Sequence, residues 1–171
     1  MNKKGFLLLE YSVALMFICL LLSVFYDNFI QSIGTYRKIV SDLEIYRAER
    51  GALSMMKEEL GFYVDTVQLF DEASGYSLIT GKETAAKRKI SYYCNESPDG
   101  DHVLTLYQKT QVEGKSAGIN PLTPPSIELT EWKAERISDK NLLLTIGIRE
   151  CSSGRERKFF EVVYLCNGKV L

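Results

Sequence analysis

From Phe6 to Tyr26 the chain reads FLLLEYSVALMFICLLLSVFY, twenty-one residues in which Glu10 is the only charge. At ~1.5 Å per residue, a helix of this length covers ~30 Å, the thickness of a bilayer core. Beyond Tyr26 the pattern becomes amphipathic. Ile30, Ile33, Tyr36, Val40, Leu43, Tyr46, Leu53, Met56 and Leu60 recur mostly at steps of three or four, with Arg37, Lys38, Asp42, Glu44, Arg47, Glu49 and Arg50 between them. This spacing predicts one helix continuing to about Leu60, with Gly61 as its natural stop. Gly34 and Gly51 are its weak points, each costing about 1 kcal/mol relative to Ala.

After Gly61 the period changes to two. Strands are expected at Asp65–Phe70, Tyr76–Thr80, Lys89–Cys94, His102–Lys109, part of Ser126–Arg136, Asn141–Arg149 and Lys158–Cys166. The alternation is clearest at Leu142, Leu144, Ile146 and Ile148, and again at Phe160, Val162 and Tyr164. Turn-forming residues separate the strands at Asn95–Gly100, Glu113–Gly118, Pro121–Pro125 and Cys151–Gly154. A long helix followed by an antiparallel meander is an α+β plan in which a sheet covers one face of the helix. There is no internal repeat and no low-complexity stretch.

The ends of the apolar run set its direction. Lys3 and Lys4 precede it, so the extreme N-terminus is expected in the cytoplasm and everything after Tyr26 outside, as a single-pass protein. An ordinary secretory signal has a shorter apolar region closed by small residues, whereas here the run passes into VFYDNFIQSIGTYRK. Composition adds limits to this picture. The chain has 171 residues, 21 Lys+Arg against 22 Asp+Glu and 46% apolar residues, enough to bury one core and too balanced for a disordered or histone-like chain. With one histidine, multi-histidine metal sites are excluded.

Glu10 is the informative residue, because a carboxylate within a spanning helix costs about 2.5–3.5 kcal/mol on insertion scales and usually has a partner or a function. The plainer reading is a carboxyl near the cytoplasmic headgroups, snorkelling or protonated. Its context is Met-Asn-Lys-Lys-Gly5, then Phe6, three leucines and Glu10. This pattern resembles the type III signal of prepilins and type II secretion pseudopilins. The resemblance implies a leader over 1–5, cleavage between Gly5 and Phe6 by a prepilin peptidase, and methylation of the new amino terminus on Phe6. It also implies a pilin-like fold divided into a membrane and assembly helix over 6–28, an amphipathic helix over 29–61 and an exported β-rich domain over 62–171. Chemistry agrees with the pattern: cleavage creates an ammonium on Phe6, and Glu10 offers a negative charge one helical turn away. Two helices staggered by about a turn pair the two groups across their interface, which makes buried ions tolerable. The proline often found in the projecting helix of major pilins is missing here.

A weaker likeness covers roughly Lys89 to Asn167. It consists of an Ile-x-Tyr strand at Ile90–Tyr92, a leucine-rich strand, a proline-rich loop leading to Ile127, Leu129 and Trp132, an aliphatic strand and a closing Phe-x-x-Val-x-x-Leu-x-Asn at Phe160–Asn167. It is similar to minor pilins of the PilW type and to J-type and competence (ComGF) pseudopilins, many of which have Arg where this chain has Cys166. The expected function is therefore a minor pilin or pseudopilin that starts or caps a filament for DNA uptake, secretion or motility, and not an enzyme. Its expected partners are the prepilin peptidase, other pilin-like subunits, the inner-membrane assembly platform and the membrane itself. The alternative is a single-pass membrane-anchored binding protein in which the Gly-Phe-x-x-x-Glu pattern is accidental.

Other candidate chemistry is thin. Cys19 lies inside the apolar run, and Cys94, Cys151 and Cys166 lie in the part expected outside, where at most one intramolecular bridge can form. Cys151 and Cys166 fall at opposite ends of a hairpin strand; Cys94 can meet either, with Cys94–Cys166 favoured and a fully reduced domain left open. No G-x-S-x-G, G-x-x-x-x-G-K or H-E-x-x-H occurs, so no catalytic or cofactor site is expected. His102 beside Asp101 reads as a solvated turn residue. The oxygen-rich turn of Asn95, Glu96, Asp99 and Asp101 lacks the spacing of an EF-hand. Two basic clusters, Lys82 with Lys87, Arg88 and Lys89, and Arg149 with Arg155, Arg157 and Lys158, read as solvated loops. A sharper alternative is contact with DNA phosphates, weakened because no aromatic residues are interleaved and Glu156 interrupts the second cluster.

Overall fold

The computed structural model describes residues 3–71, 75–97 and 102–171, with residues 3–7 described by backbone alone. One α-helix, α1, runs Lys3–Glu58 and ends in a π-helical turn, Glu59–Tyr63. Nine strands follow: β1 Thr66–Asp71, β2 Ser77–Glu83, β3 Arg88–Glu96, β4 Leu104–Val112, β5 Gly118–Pro121, β6 Ile127–Ser138, β7 Asn141–Glu150, β8 Glu156–Tyr164 and β9 Lys169–Val170. The α+β arrangement expected from the hydrophobic pattern is present, with a long N-terminal helix and a predominantly antiparallel β region against it.

The strands form two sheets rather than the single meander expected. A six-stranded sheet has the order β5-β4-β3-β2-β1-β9, and a three-stranded sheet has the order β6-β7-β8. All neighbours pair antiparallel except β1 and β9, which are parallel. The chain comprises two compact units, Met1–Val40 and Ser41–Leu171. The first is helical, and none of its described side chains is buried. The second holds the core.

In that second unit the buried face of α1 is Ser41, Ile45, Ala48, Ala52, Leu53 and Met56, continued by Leu60 in the π-turn. The apolar stripe read from the sequence is corrected in part: Leu53, Met56 and Leu60 are inside, while Leu43 and Tyr46 are 49% and 52% exposed. The physical reason is the small residues. Ala48 and Ala52 are both buried, yet as small residues they carry little hydrophobic signal, so the face they mark is hard to read from the sequence. The core between helix and sheets is completed by Val67, Ile79, Ile90, Tyr92, Leu106, Trp132, Leu142, Leu144, Ile146 and Val163. Gly61 does not cap the helix. Its carbonyl accepts the Cys166 N–H at 2.8 Å, and a Cβ on it would stand 3.2 Å from the Tyr164 carbonyl oxygen. Gly168 is required more strictly, since a Cβ there would lie 2.4 Å from the Val64 carbonyl oxygen where β9 joins β1.

Candidate functional site

Gly5, Phe6 and Glu10 all lie on α1, with Phe6 and Glu10 four positions and hence one turn apart. Around Glu10 the helix is uncovered, with Leu8 76%, Leu9 62% and Tyr11 75% exposed. Counted over the described residues, α1 and its π-turn hold an apolar window of mean hydropathy 2.3 with none of it buried, long and apolar enough to cross a membrane. Polar side chains on this segment return their hydrogens to their own helix. The Ser12 hydroxyl donates to the Leu9 carbonyl, Ser23 to Leu20, Asn28 to Val24, Ser32 to Asn28 and Thr35 to Gln31, each at 2.8–2.9 Å. Such bonding to the preceding turn is ordinary for Ser, Thr and Asn in a helix and recurs at Ser54, whose hydroxyl donates to the Gly51 carbonyl. Among the described residues Glu10 has no hydrogen-bond or ionic partner, which sets it apart from those hydroxyls.

None of the four cysteines is in a disulfide. Cys94 sits on β3 opposite Leu106, and Cys166 follows β8 with its N–H on Gly61, so the Cys94–Cys166 pairing is not formed here. Asp99 and Asp101 of the oxygen-rich turn lie outside the described residues. His102 is well exposed, at a positive φ of 52°, and its Nδ1 is 3.2 Å from Glu96 Oε2. Among the described residues there is no group of three His, Cys, Asp or Glu side chains placed to hold a metal.

The two basic clusters separate in the fold. Every member of the second is engaged: Arg149 pairs with Glu128 at 2.6 Å, Arg155 and Arg157 with Asp42 at 2.8 and 3.2 Å, and Lys158 with Glu131 at 2.6 Å. In the first, Arg88 bonds Glu83 at 2.9 Å and stands 3.5 Å from Glu59, while Lys87 pairs with Glu113 at 2.8 Å. Lys82 and Lys89 instead lie opposite each other on neighbouring strands of the six-stranded sheet.

Two carboxylates that the sequence did not single out join the helix to the sheets. Glu150, 3% exposed at the end of β7, accepts the backbone N–H groups of Ser152 and Ser153 at 3.0 and 2.8 Å, and the Ser152 hydroxyl. It also accepts the Ser41 hydroxyl at 3.1 Å, fixing the β7–β8 turn to α1. The serine hydroxyls of the turn, Ser152 first, and then its amides hold the Glu150 carboxyl down at about 2 against an ordinary 4.5. Glu59, in the π-turn, accepts the Tyr92 hydroxyl at 2.7 Å and an amide hydrogen of Gln108, tying the helix end to β3 and β4. Burial above all, and then this carboxylate, push the Tyr92 phenol well above its ordinary range. Both carboxylates are saturated by the protein itself and have a structural role. The sequence signal that could have located Glu150 was the pair of serines two and three positions after it, Ser152 and Ser153.

Set beside known protein families, curated proteins and solved structures, the chain matches none of them.

Proposed function

We propose that the chain is a minor pilin or pseudopilin, a membrane-stored structural subunit that starts or caps a type IV pilus-like filament serving DNA uptake, secretion or motility. One observation carries the reading: the Lys-Lys-Gly5-Phe6-x-x-x-Glu10 pattern stands at the head of a continuous helix whose apolar first part is left uncovered by its own protein. In this reading the prepilin peptidase cuts between Gly5 and Phe6 at the cytoplasmic face and methylates the Phe6 amine. The subunit waits in the cytoplasmic membrane, N-terminus inside and β domain outside, until the assembly platform extracts it. Its helix then exchanges lipid for the helices of related subunits, Glu10 neutralises a neighbour's Phe6 ammonium, and the leucines around them supply the apolar packing. The mechanism is assembly, without turnover of a substrate.

The test is intact-mass and N-terminal peptide mass spectrometry of the protein expressed with and without its prepilin peptidase. The expected result is a terminus at Phe6 carrying one added methyl group, found only with the peptidase. An unprocessed Met1 beside an active peptidase would return the chain to the class of plain membrane-anchored binding proteins. Once processing is established, Glu10→Ala is expected to insert into the membrane normally and to be lost from sheared filaments. Wild-type incorporation of that variant would remove Glu10 from the mechanism.

A further inference from the structure

The outward face of the six-stranded sheet joins residues that are scattered in sequence. Val67, Ile79, Ile90, Tyr92 and Leu106 point into the core, so the alternate residues of the same strands face outward. The strand registers align these in rows. Phe70 lies opposite Leu78, Tyr93 opposite Tyr107 and Tyr107 opposite Pro121, and the pairing of Ile79 with Tyr92 sets Leu78 beside Tyr93. The result is one apolar and aromatic row across five strands, in which the Tyr93 and Tyr107 rings stack with centroids 5.8 Å apart. Lys109 occupies the next row, and Lys82 and Lys89 the one after it. At about 3.4 Å per residue the successive rows are ~6.8 Å apart.

Charge sets this face apart from the two basic clusters read from the sequence. Lys82, Lys89 and Lys109 are exposed, and none is in an ion pair among the described residues. The arginines and Lys87 and Lys158 of the two basic clusters, by contrast, all have carboxylates within 4 Å. No carboxylate stands in these three rows. Lys82 directly opposite Lys89 is an unfavourable like-charge pair. Lysines are common guards of sheet edges, but β2 and β3 are interior strands and have no edge to guard.

We propose that this face binds single-stranded nucleic acid, with phosphates on Lys82, Lys89 and Lys109 and unpaired bases against the Phe70, Tyr93 and Tyr107 row. Uncompensated cations select a polyanion, and flat aromatic side chains beside them select one whose rings can stack. The aromatic interleaving absent from the linear sequence is supplied by strand register. A duplex hides its base faces and gains nothing from the tyrosines. A second copy of this face would oppose lysines to lysines. The inference stands on the exported domain alone and does not rest on the filament reading.

The experiment uses the full-length chain in a nonionic detergent and a dye-labelled oligothymidine of about 12 nucleotides, a length within the usual site size, followed by fluorescence anisotropy across a salt series. With three phosphates neutralised, log affinity is expected to fall against log salt with a slope of about −2. The triple variant K82Q/K89Q/K109Q is expected to flatten that slope and weaken low-salt binding at least about tenfold. Tyr107→Leu keeps the slope and weakens binding at least about fivefold, because only stacking is lost. Lys140→Gln, in the turn between β6 and β7, is expected to change nothing. The proposal is overturned by absence of saturable binding at the lowest salt, or by wild-type affinity in the triple variant. Equal affinity for a duplex of the same length, or for an acidic polysaccharide of the same charge, overturns it too, because either removes the bases from the recognition.

Discussion

On α1, Leu15, Phe17 and Leu21 are 64%, 63% and 58% exposed, whereas Ile45, Ala52 and Met56 further along the same helix are fully buried. The more apolar stretch is the uncovered one, and the stretch studded with Arg37, Asp42, Arg47 and Arg50 contains the core. Burial within the domain therefore follows which face a sheet covers, and not how apolar the segment is. Each large apolar side chain left in water forgoes about 1.5–3 kcal/mol, and a whole domain is stable by only about 5–15. The uncovered apolar residues of the first unit are equally exposed in the unfolded chain, so they add nothing to the stability of the domain, and only lipid or other apolar surfaces would give them that burial. The described side chains of the first unit thus take no part in the core, which the second unit holds.

The sharpest way to break this contrast is a matched pair of truncations. Met56→Ala removes a side chain with no exposure from the helix–sheet core and is expected to lower domain stability by about 2–5 kcal/mol. Leu15→Ala, on the uncovered half, is expected to leave domain stability unchanged and to alter only membrane or assembly behaviour. The chain's one tryptophan, Trp132, is fully buried in the second unit, so its emission during denaturant unfolding in detergent reports the domain alone. A Leu15→Ala loss as large as that of Met56→Ala would mean that the two halves unfold together.

What periodicity could and could not deliver follows from the same contrast. The apolar run, the long helix and the strands corresponding to β1–β4 and β6–β8 were legible, because each carries several residues of one period. Strands β5 and β9 were missed. β5 is four exposed residues, Gly-Ile-Asn-Pro, made a strand by pairing with β4, and β9 is two residues held parallel to β1. Neither has a pattern to read. The division into two sheets was hidden for a related reason: alternation tells which face of a strand is buried but not which strand lies beside it. That limit also concealed the row of Phe70, Tyr93 and Tyr107, residues far apart in sequence that only register brings into line. In the proposed assembly segment the opposite held, since Gly5, Phe6 and Glu10 are close in sequence and their spacing was fully visible.

A second, smaller effect tests how the β7–β8 turn is attached to the helix. Glu150→Gln replaces an acceptor that satisfies two amides and two hydroxyls, and is expected to cost about 1–3 kcal/mol. The pH dependence has a definite sign. Because the folded carboxyl is held at about 2 against 4.5, its stabilising contribution is complete above pH ~4.5 and is lost as pH falls toward 2. Wild-type and Glu150→Gln denaturation midpoints should therefore converge with acidification through that window. A constant gap between them would show that the carboxylate charge is not what holds the turn.

The smallest expected effect separates that buried carboxylate from the ion pair next to it. Asp42 follows Ser41 on α1 and meets Arg155 at 2.8 Å and Arg157 at 3.2 Å, with all three side chains between 31% and 44% exposed. Solvent screens such pairs and side-chain entropy opposes them, so Asp42→Asn is expected to cost less than about 1 kcal/mol, and less still at high salt. Denaturant midpoints at low and high ionic strength measure both quantities. If Asp42→Asn proved costlier than Glu150→Gln and insensitive to salt, the attachment of the turn would belong to the arginines. The boundary at Ser41, where the helix passes from its uncovered half into the core, would then be set by charge pairing at the surface instead of by the hydrogen-bonded carboxylate beneath it.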